Sequence, residues 1–129
     1  MLKRMSIKCL NNVKALTVGG AILLLLLSCS TDMEALQHKA QRQHVYISDM
    51  EQYGVEDLWV ASLRGDCEDY ALWVRERVGG DLLMVRTQEG EMHMVLRVDG
   101  YVFDNLSNHL YKFEDMPHKY IATVPYGKN

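Results

Sequence analysis

The hydrophobic positions of this chain follow a helical period through residue 78 and a strand period after it. The clearest helix is predicted over 67–78, where an apolar stripe at helical spacing is formed by Cys67, Tyr70, Ala71, Val74 and Val78. Asp66 suits the N-cap of this helix, and Gly79-Gly80 suits its C-terminal stop. The nucleophilic side chain of Cys67 is therefore placed at a helix start.

The residues before this helix carry a weaker pattern. A helix is predicted near 33–50 from apolar positions that recur at roughly helical spacing. Gly54 is expected to break this helix, since glycine favours helix ends over helix interiors. Residues 55–63 have a mixed pattern and fit either a short helix or a connector.

Alternation of apolar and polar positions predicts strands from residue 82 onward. The predicted segments are a strand at 82–87, a turn at 88–91, strands at 92–98 and 101–105, a mostly irregular loop at 106–118 and a last strand at 119–124. Helices followed by an antiparallel sheet indicate an α+β fold.

A two-residue hairpin turn at Asp99-Gly100 fixes the pairing of the strands on either side. The facing pairs are then Val98–Tyr101, Leu96–Phe103 and Val95–Asp104. Because side chains alternate between the two faces of a sheet, His93 becomes a diagonal neighbour of Asp104 on one face. An imidazole beside a carboxylate is the orienting half of a nucleophile–base–acid triad.

The beginning of the chain has the features of an export signal, predicted over 1–28. Positive residues precede an uncharged apolar segment, ALTVGGAILLLLLS, which is short for a membrane span of about 20 residues. The letters LLSC at 26–29 resemble the lipobox of bacterial lipoproteins, which implies that Cys29 carries lipid. An uncleaved anchor helix is the alternative. Both place the rest of the chain in the cell envelope, facing the periplasm, and Ser30 favours the outer membrane by analogy.

After the signal, the chain divides into a tether at 29–38 and one small domain at 39–129. The net charge of −3, with no basic patch, argues against a nucleic-acid partner. With Cys9 in the signal and Cys29 acylated, Cys67 is the single remaining thiol. From the count alone, Cys67 is either reactive or an inert buried side chain.

Three strings together resemble a known family. They are GDCEDYAL (65–72), HMVLRVDGYVFDN (93–105) and EDLWVAS (56–62). They resemble the bacterial transglutaminase-like cysteine proteinases, which cleave cell-surface adhesins in the periplasm and use calcium. The resemblance implies a transglutaminase/papain-like core, in which N-terminal helices, with the nucleophile at a helix start, pack on an antiparallel sheet.

The resemblance also assigns roles to particular residues. It implies that Cys67 is the nucleophile, that His93 is the general base and acid, and that Asp104 orients His93. It further implies that Asp66 and Glu68 hold calcium. The charges agree with this, because carboxylates around a thiol raise its pKa and a bound Ca²⁺ cancels that repulsion. The alternative is that these acids only cap a solvated helix start.

The function implied is a thiol hydrolase that cleaves peptide or amide bonds through an acyl-enzyme, with water or an amine as the acceptor. The expected partners are an envelope protein substrate and, through Cys29, the lipid membrane; the oligomeric state stays open. The alternatives are a cell-wall peptide hydrolase, whose usual Asp-Cys-Ser-Gly start differs from DCED, and a non-catalytic binding or inhibitory lipoprotein. No role is assigned to the remaining histidines, which show no metal-ligand spacing: His38, His44, His109 and His118.

Overall fold

The computed structural model describes residues 21–127, with side chains from residue 32 onward. Residues 1–20 of the predicted signal, and the side chain of Cys29 predicted to carry lipid, lie outside the described residues. Within residues 21–127, no helix combines the length and the hydropathy needed to cross a membrane.

The described chain forms helices first and an antiparallel sheet afterwards, which confirms the α+β prediction. The elements are α1 (Ala21–Gln43), β1 (Val45–Tyr46), α2 (Asp49–Tyr53), β2 (Arg64–Gly65), α3 (Cys67–Val78), β3 (Asp81–Arg86), β4 (Met92–Val98), β5 (Tyr101–Phe103), β6 (Tyr111–Lys112), a 3₁₀ turn (Phe113–Asp115) and β7 (Lys119–Val124). The main sheet has five strands in the order β6-β5-β4-β3-β7. β1 and β2 form a separate parallel pair.

The hairpin between β4 and β5 has the predicted register. Leu96 pairs with Phe103 and Val98 pairs with Tyr101. The turn residue Asp99 has a φ of 49°, and Gly100 has a φ of 79°. Positive φ at both central residues is what a tight hairpin turn requires, and Asp-Gly supplies it at low cost.

The two faces of the sheet bury different side chains. Helix α3 packs against β4 on the first face, in a core that includes Tyr70, Met94 and Phe103. The second face buries a smaller cluster of Leu83, Val85, Val95 and Val102, over which Tyr111, Phe113 and Met116 pack. Since side chains alternate along β4, His93 lies on this second face, opposite the helix.

Helix α3 forms where the sequence predicts it. The side chain of Asp66 accepts a hydrogen bond from the backbone N–H of Asp69 at 3.4 Å, which satisfies one of the free amides of the first turn. The N–H of Gly79 donates to the carbonyl of Arg75 and ends the helix. The buried stripe includes Tyr70, Ala71 and Val74.

The helix predicted near 33–50 is interrupted. α1 ends at Gln43, and the next residues form β1, which pairs with β2. A new short helix, α2, begins after Ser48, whose hydroxyl accepts from the N–H of Glu51, and Gly54 ends it with a φ of 71°. The segment 29–38, expected as a tether, belongs to α1, and its Met33 and Gln37 are buried.

Candidate active site

His93 and Asp104 form a buried hydrogen-bonded pair at the end of the hairpin. Nε2 of His93 lies 2.8 Å from Oδ1 of Asp104, and the two side chains are 6% and 1% exposed. The register set by the Asp99-Gly100 turn brings them onto one face, as the sequence predicts. Because Nε2 faces the carboxylate, Nδ1 is the ring nitrogen that remains available to another partner.

Asp104 accepts three further hydrogen bonds. The hydroxyl of Tyr111 and Nε2 of His118 each lie 2.8 Å from Oδ2, and the N–H of Leu106 donates to Oδ1 at 2.9 Å. Burial opposes ionisation of this carboxyl, but the hydrogen bond and charge of His93, with the other donors, outweigh it. They lower the pKa of Asp104 to about 2. The carboxylate therefore stays charged and fixed in orientation.

The amide of Gln37 connects helix α1 to this pair. Its Nε2 donates to the backbone carbonyls of Asp104 at 2.7 Å and Ser107 at 2.6 Å. Its Oε1 accepts from the hydroxyl of Tyr70 at 2.9 Å. All of the Gln37 side chain is buried. The position of Asp104 thus depends on a residue that precedes it by 67 positions in the chain.

Cys67 begins helix α3 and is half-buried; it is the free cysteine among the described side chains. Its thiol donates to Oε2 of Glu68 at 3.2 Å, and the backbone N–H of Met94 hydrogen-bonds the sulfur. The sulfur thus reaches β4 one residue after His93, from the opposite face of the sheet. Within the described part of the chain, the thiol makes no hydrogen bond to the His93 ring.

The surroundings of Cys67 keep its proton on the sulfur. Burial is the main reason that the pKa of this thiol is raised, and the nearby charge of Glu68 raises it further; the amide of Met94 acts in the opposite direction. Burial, followed by a hydrogen bond with Asp66, raises the pKa of Glu68 from 4.5 to about 7. A thiolate at Cys67 needs a compensating positive charge.

Three carboxylates converge beside the start of α3. Oxygens of Asp49, Asp66 and Asp69 lie within 4.8 Å of one another. Asp49 and Asp69 are 2% and 0% exposed, and Oδ1 of Asp49 and Oδ2 of Asp69 have no hydrogen-bond partner. Unpaired buried carboxylate oxygens are costly, and hard cations such as Ca²⁺ bind such oxygens. The residues present therefore fit a calcium ion.

The electrostatics of this cluster agree with that fit. Burial raises the pKa of Asp69 to about 6; a hydrogen bond from the N–H of Val60 opposes the rise, and the charges of Asp66 and Asp49 add to it. Of the two predicted calcium ligands, Asp66 lies in the cluster, whereas Glu68 turns towards the thiol of Cys67.

A family model described as bacterial transglutaminase-like cysteine proteinase BTLCP matches residues 25–126. The chain belongs to this family. The match extends on both sides of the residues that carry the sequence resemblance, and it includes α1 from residue 25 onward and the last strand, β7. The search of the curated proteins returned no match. The protein is accordingly a cysteine proteinase of the transglutaminase-like type.

Sequence patterns miss several side chains at the centre of this proteinase. His118 and Tyr111 come from the segment predicted to be mostly loop, and Gln37 comes from the predicted tether. Asp49 lies where the sequence predicts the end of a longer helix. Spacing carries no signal for them, because each reaches the site through tertiary packing.

Exposed Tyr46 also approaches the nucleophile. β1 carries Tyr46 and pairs with β2, which runs directly into Cys67. Burial of its hydroxyl is the main reason that the pKa of Tyr46 is raised, and the charges of Cys67 and Asp66 add to the effect. The side chain is 66% exposed. The Tyr46 side chain is therefore largely open to solvent near the start of α3.

Gly65 leaves room for the carboxylate of Asp69 in this proteinase. A Cβ on Gly65 would collide with Oδ2, Cγ and Cβ of Asp69. We expect Gly65→Ala to lower the free energy of unfolding by about 1–3 kcal/mol, because a packed carboxylate must move. Urea unfolding measures this. Glu89→Ala is the control, since it changes an exposed side chain in a turn. A loss in Gly65→Ala no larger than that in Glu89→Ala would contradict the packing role of Gly65.

Proposed function

We propose that the protein is a cell-envelope thiol hydrolase that cleaves peptide or amide bonds with a Cys67–His93–Asp104 triad. The observation that carries the proposal is the buried His93–Asp104 pair at 2.8 Å. The backbone N–H of the residue after His93, Met94, hydrogen-bonds the sulfur of Cys67. Family membership supports it, because a cysteine proteinase requires a nucleophilic cysteine, and the described side chains include Cys67 alone.

The proposed reaction begins when the thiol of Cys67 leaves Glu68 and comes within hydrogen-bond distance of Nδ1 of His93. Because the two side chains lie on opposite faces of β4, the start of α3 moves together with the Cys67 side chain in this proposal. Nδ1 takes the thiol proton, and the sulfur forms a bond to the substrate carbonyl carbon. Collapse of the tetrahedral intermediate breaks the C–N bond, and His93 returns its proton to the leaving amine. Water, deprotonated by His93, then forms a bond to the acyl carbon; the C–S bond breaks, the acid product leaves, and His93 returns the proton to the sulfur. Asp104 stays ionised throughout and stabilises the imidazolium.

The start of α3 also supplies a donor for the oxyanion. Cys67 is the first residue of the helix, and the first amides of a helix have no partner within it. The backbone N–H of Cys67 is the donor that we assign to the developing negative charge. This placement joins the nucleophile and the oxyanion donor in one residue.

We also propose that the enzyme uses Ca²⁺, held by Asp49, Asp66 and Asp69, with Glu68 as a further candidate ligand. Support comes from the two buried carboxylate oxygens without partners. When bound, the ion supplies positive charge next to the thiol, which favours the thiolate. The chain's own contribution is the convergence of acids from α2 and from the start of α3.

The proposed location rests on the lipobox-like LLSC string. In this proposal Cys29 carries the lipid and anchors the enzyme to the envelope membrane, with the catalytic domain facing the periplasm. The substrate class is an envelope protein. Palmitate labelling of cells that express the chain, compared with a Cys29→Ala variant, measures the lipid directly; equal labelling of both would contradict it.

One observation favours a second candidate, a binding or inhibitory lipoprotein on the same fold. The thiol donates to Glu68, and its raised pKa keeps it protonated. In a non-catalytic protein the thiol of Cys67 would stay protonated and bonded to Glu68 under all conditions. In the proposed enzyme the thiol breaks this bond when calcium is bound, and it passes its proton to His93.

The test is the rate at which iodoacetamide labels Cys67 at neutral pH, measured by mass spectrometry with calcium and with a chelator. For the enzyme, we expect labelling that needs both His93 and calcium, and cleavage of envelope proteins that Cys67→Ser abolishes. Gln88→Ala is the control, because Gln88 is an exposed side chain in the turn between β3 and β4. Slow labelling that ignores His93→Ala would instead indicate the binding protein.

His118 gives a prediction about the second imidazole on Asp104. We expect His118→Gln to lower the hydrolysis rate by about 10–100-fold, because Oδ2 of Asp104 loses a donor that fixes its orientation. His93→Gln should abolish hydrolysis. Rates with a peptide substrate, measured across pH, separate the two variants. Wild-type rates in His118→Gln would show that Tyr111 alone orients the carboxylate.

A further inference from the structure

A second group of metal-ligating side chains lies outside the catalytic centre, where helix α1 meets the loop after β5. It consists of Glu34, His38 and His109. Nε2 of His38 lies 3.1 Å from Oε1 of Glu34, and Nδ1 of His109 lies 3.4 Å from the same oxygen. The two imidazole rings meet edge to face at 5.3 Å. Two rings and one carboxylate thus converge on a single point.

The spacing of these atoms matches a tetrahedral ion. Two ligand atoms on tetrahedral Zn²⁺ lie about 3.3 Å apart when each bond is about 2.0–2.1 Å long. Both contacts to Glu34 are close to this value, and all three ligand atoms lie within 4.8 Å of one another. An ion that replaced the two ring protons would need only small side-chain movements.

The ligands are held by the residues around them. Oε2 of Glu34 accepts from the N–H of Leu110 at 3.0 Å, which turns Oε1 towards the rings. The hydroxyl of Ser107 donates to the carbonyl of His109 at 2.6 Å and accepts from its N–H at 3.1 Å. Supporting contacts of this kind fix the orientation of metal ligands.

The position of the group connects it to Asp104. Glu34, Gln37 and His38 lie on one side of α1, at spacing i, i+3 and i+4. Gln37 already holds the carbonyls of Asp104 and Ser107, in the loop that leads to His109. An ion bound by Glu34, His38 and His109 would therefore fasten α1 to the same loop one helical turn away.

We infer that Glu34, His38 and His109 form a binding site for a zinc-class divalent cation, which clamps α1 to the loop that carries Asp104. Imidazole ligands favour Zn²⁺ and similar ions over Ca²⁺, which prefers oxygen. Glu34 and His38 are 34% and 38% exposed, and His109 is 76% exposed, so a water molecule can take the fourth position. The inference does not depend on the proposed triad.

The test is calorimetric titration of ZnCl₂ into the metal-free full-length chain, with thermal unfolding in parallel. Cys9→Ser, Cys29→Ser and Cys67→Ser are present in every sample, so that no thiol binds zinc. We expect the protein with Glu34, His38 and His109 intact to bind one more Zn²⁺ per chain than the His109→Ala variant. We also expect zinc to raise the melting temperature, and His109→Ala and Glu34→Gln to remove that rise. Affinity should fall by about tenfold or more in Glu34→Gln.

Glu89→Gln is the matched control, because Glu89 is an exposed carboxylate in a turn. It should bind zinc like the parent. Zinc binding that His109→Ala and Glu34→Gln leave unchanged would overturn the inference and would place the ion at another site. Absence of zinc binding in the parent chain would overturn it as well. Melting temperatures in chelator confirm that each variant is folded.

Discussion

Replacing Asp104 with alanine should abolish proteolysis and destabilise the fold at the same time. The carboxylate is 1% exposed and accepts hydrogen bonds from His93, His118, Tyr111 and the N–H of Leu106. Its removal leaves these buried donors without a partner. We expect a loss of about 3–5 kcal/mol in the free energy of unfolding. We expect the hydrolysis rate to fall by about 10³–10⁴-fold, since His93 loses its orientation. Urea unfolding and peptide hydrolysis measure the two effects.

Asp104→Asn is the matched variant and separates orientation from charge. Its carbonyl can replace Oδ1, because Leu106 offers only an N–H there. Its NH₂ then faces Tyr111 and His118, a hydroxyl and an imidazole that can both act as acceptors. We expect this variant to keep most of the stability, while its hydrolysis rate falls by about 10³–10⁴-fold because the charge that stabilises the imidazolium is missing. Equal stability in Asp104→Ala and the parent would contradict the central role of this carboxylate.

The second large effect concerns Glu68 and Asp69, two acids close to Cys67 whose pKa values are raised. Without calcium, the protein should become more stable as the pH falls from 7 to 5. The pKa of Asp69 is raised from 3.8 to about 6, and that of Glu68 from 4.5 to about 7. The folded state therefore binds more protons than the unfolded state in this range, so stability is gained below the raised pKa values and lost above them. Asp104, with a pKa of about 2, destabilises the fold only at lower pH, as it becomes protonated.

Asp69→Asn tests this assignment. We expect it to raise the melting temperature of the calcium-free protein at pH 7, because one buried charge next to Asp49 and Asp66 is removed. We expect the same variant to lose the rise in melting temperature that calcium produces in the parent. Scanning calorimetry at pH 5 and pH 7, with calcium and with a chelator, measures both. Two other titratable side chains feel the charge of Asp66 in this cluster: His44, whose pKa is lowered mainly by burial, and Tyr46, whose pKa is raised mainly by burial. Both are present in the parent and in the variant.

Asp115→Asn is the control, since it removes an exposed carboxylate from the 3₁₀ turn. It should leave both responses as they are in the parent. A calcium-induced rise that survives in Asp69→Asn would place the ion elsewhere. A melting temperature that falls between pH 7 and pH 5 in chelator would contradict the raised pKa values of Glu68 and Asp69 in the folded state.

Local sequence signals predict the hairpin half of the site well. The Asp99-Gly100 turn determines the register, and the register determines that His93 meets Asp104. Helix α3 is equally predictable, because its apolar stripe and Asp66 cap are local features. Both predictions depend only on residues close together in the chain, where propensity and pattern act without help from tertiary structure.

The remaining parts depend on contacts between distant segments. The helix predicted near 33–50 ends early because residues 45–46 pair with 64–65, and no local pattern signals that pairing. Asp49 reaches Asp66 and Asp69 only after this break. His118 reaches Asp104 only when the segment after β6 folds over the second face of the sheet. Long-range packing overrides the helical propensity here.

The buried amide of Gln37 makes the outcome of a cut in helix α1 depend on where the cut falls. If the chain is anchored through Cys29, as proposed, a protease that cuts upstream of Met33 would release the domain with its contact between Gln37 and Asp104 intact. A cut about one helical turn later, after Gln37, would separate Gln37 from Asp104 and inactivate the enzyme. Whether cleavage of α1 releases or inactivates the domain therefore depends on which side of Gln37 the cut falls.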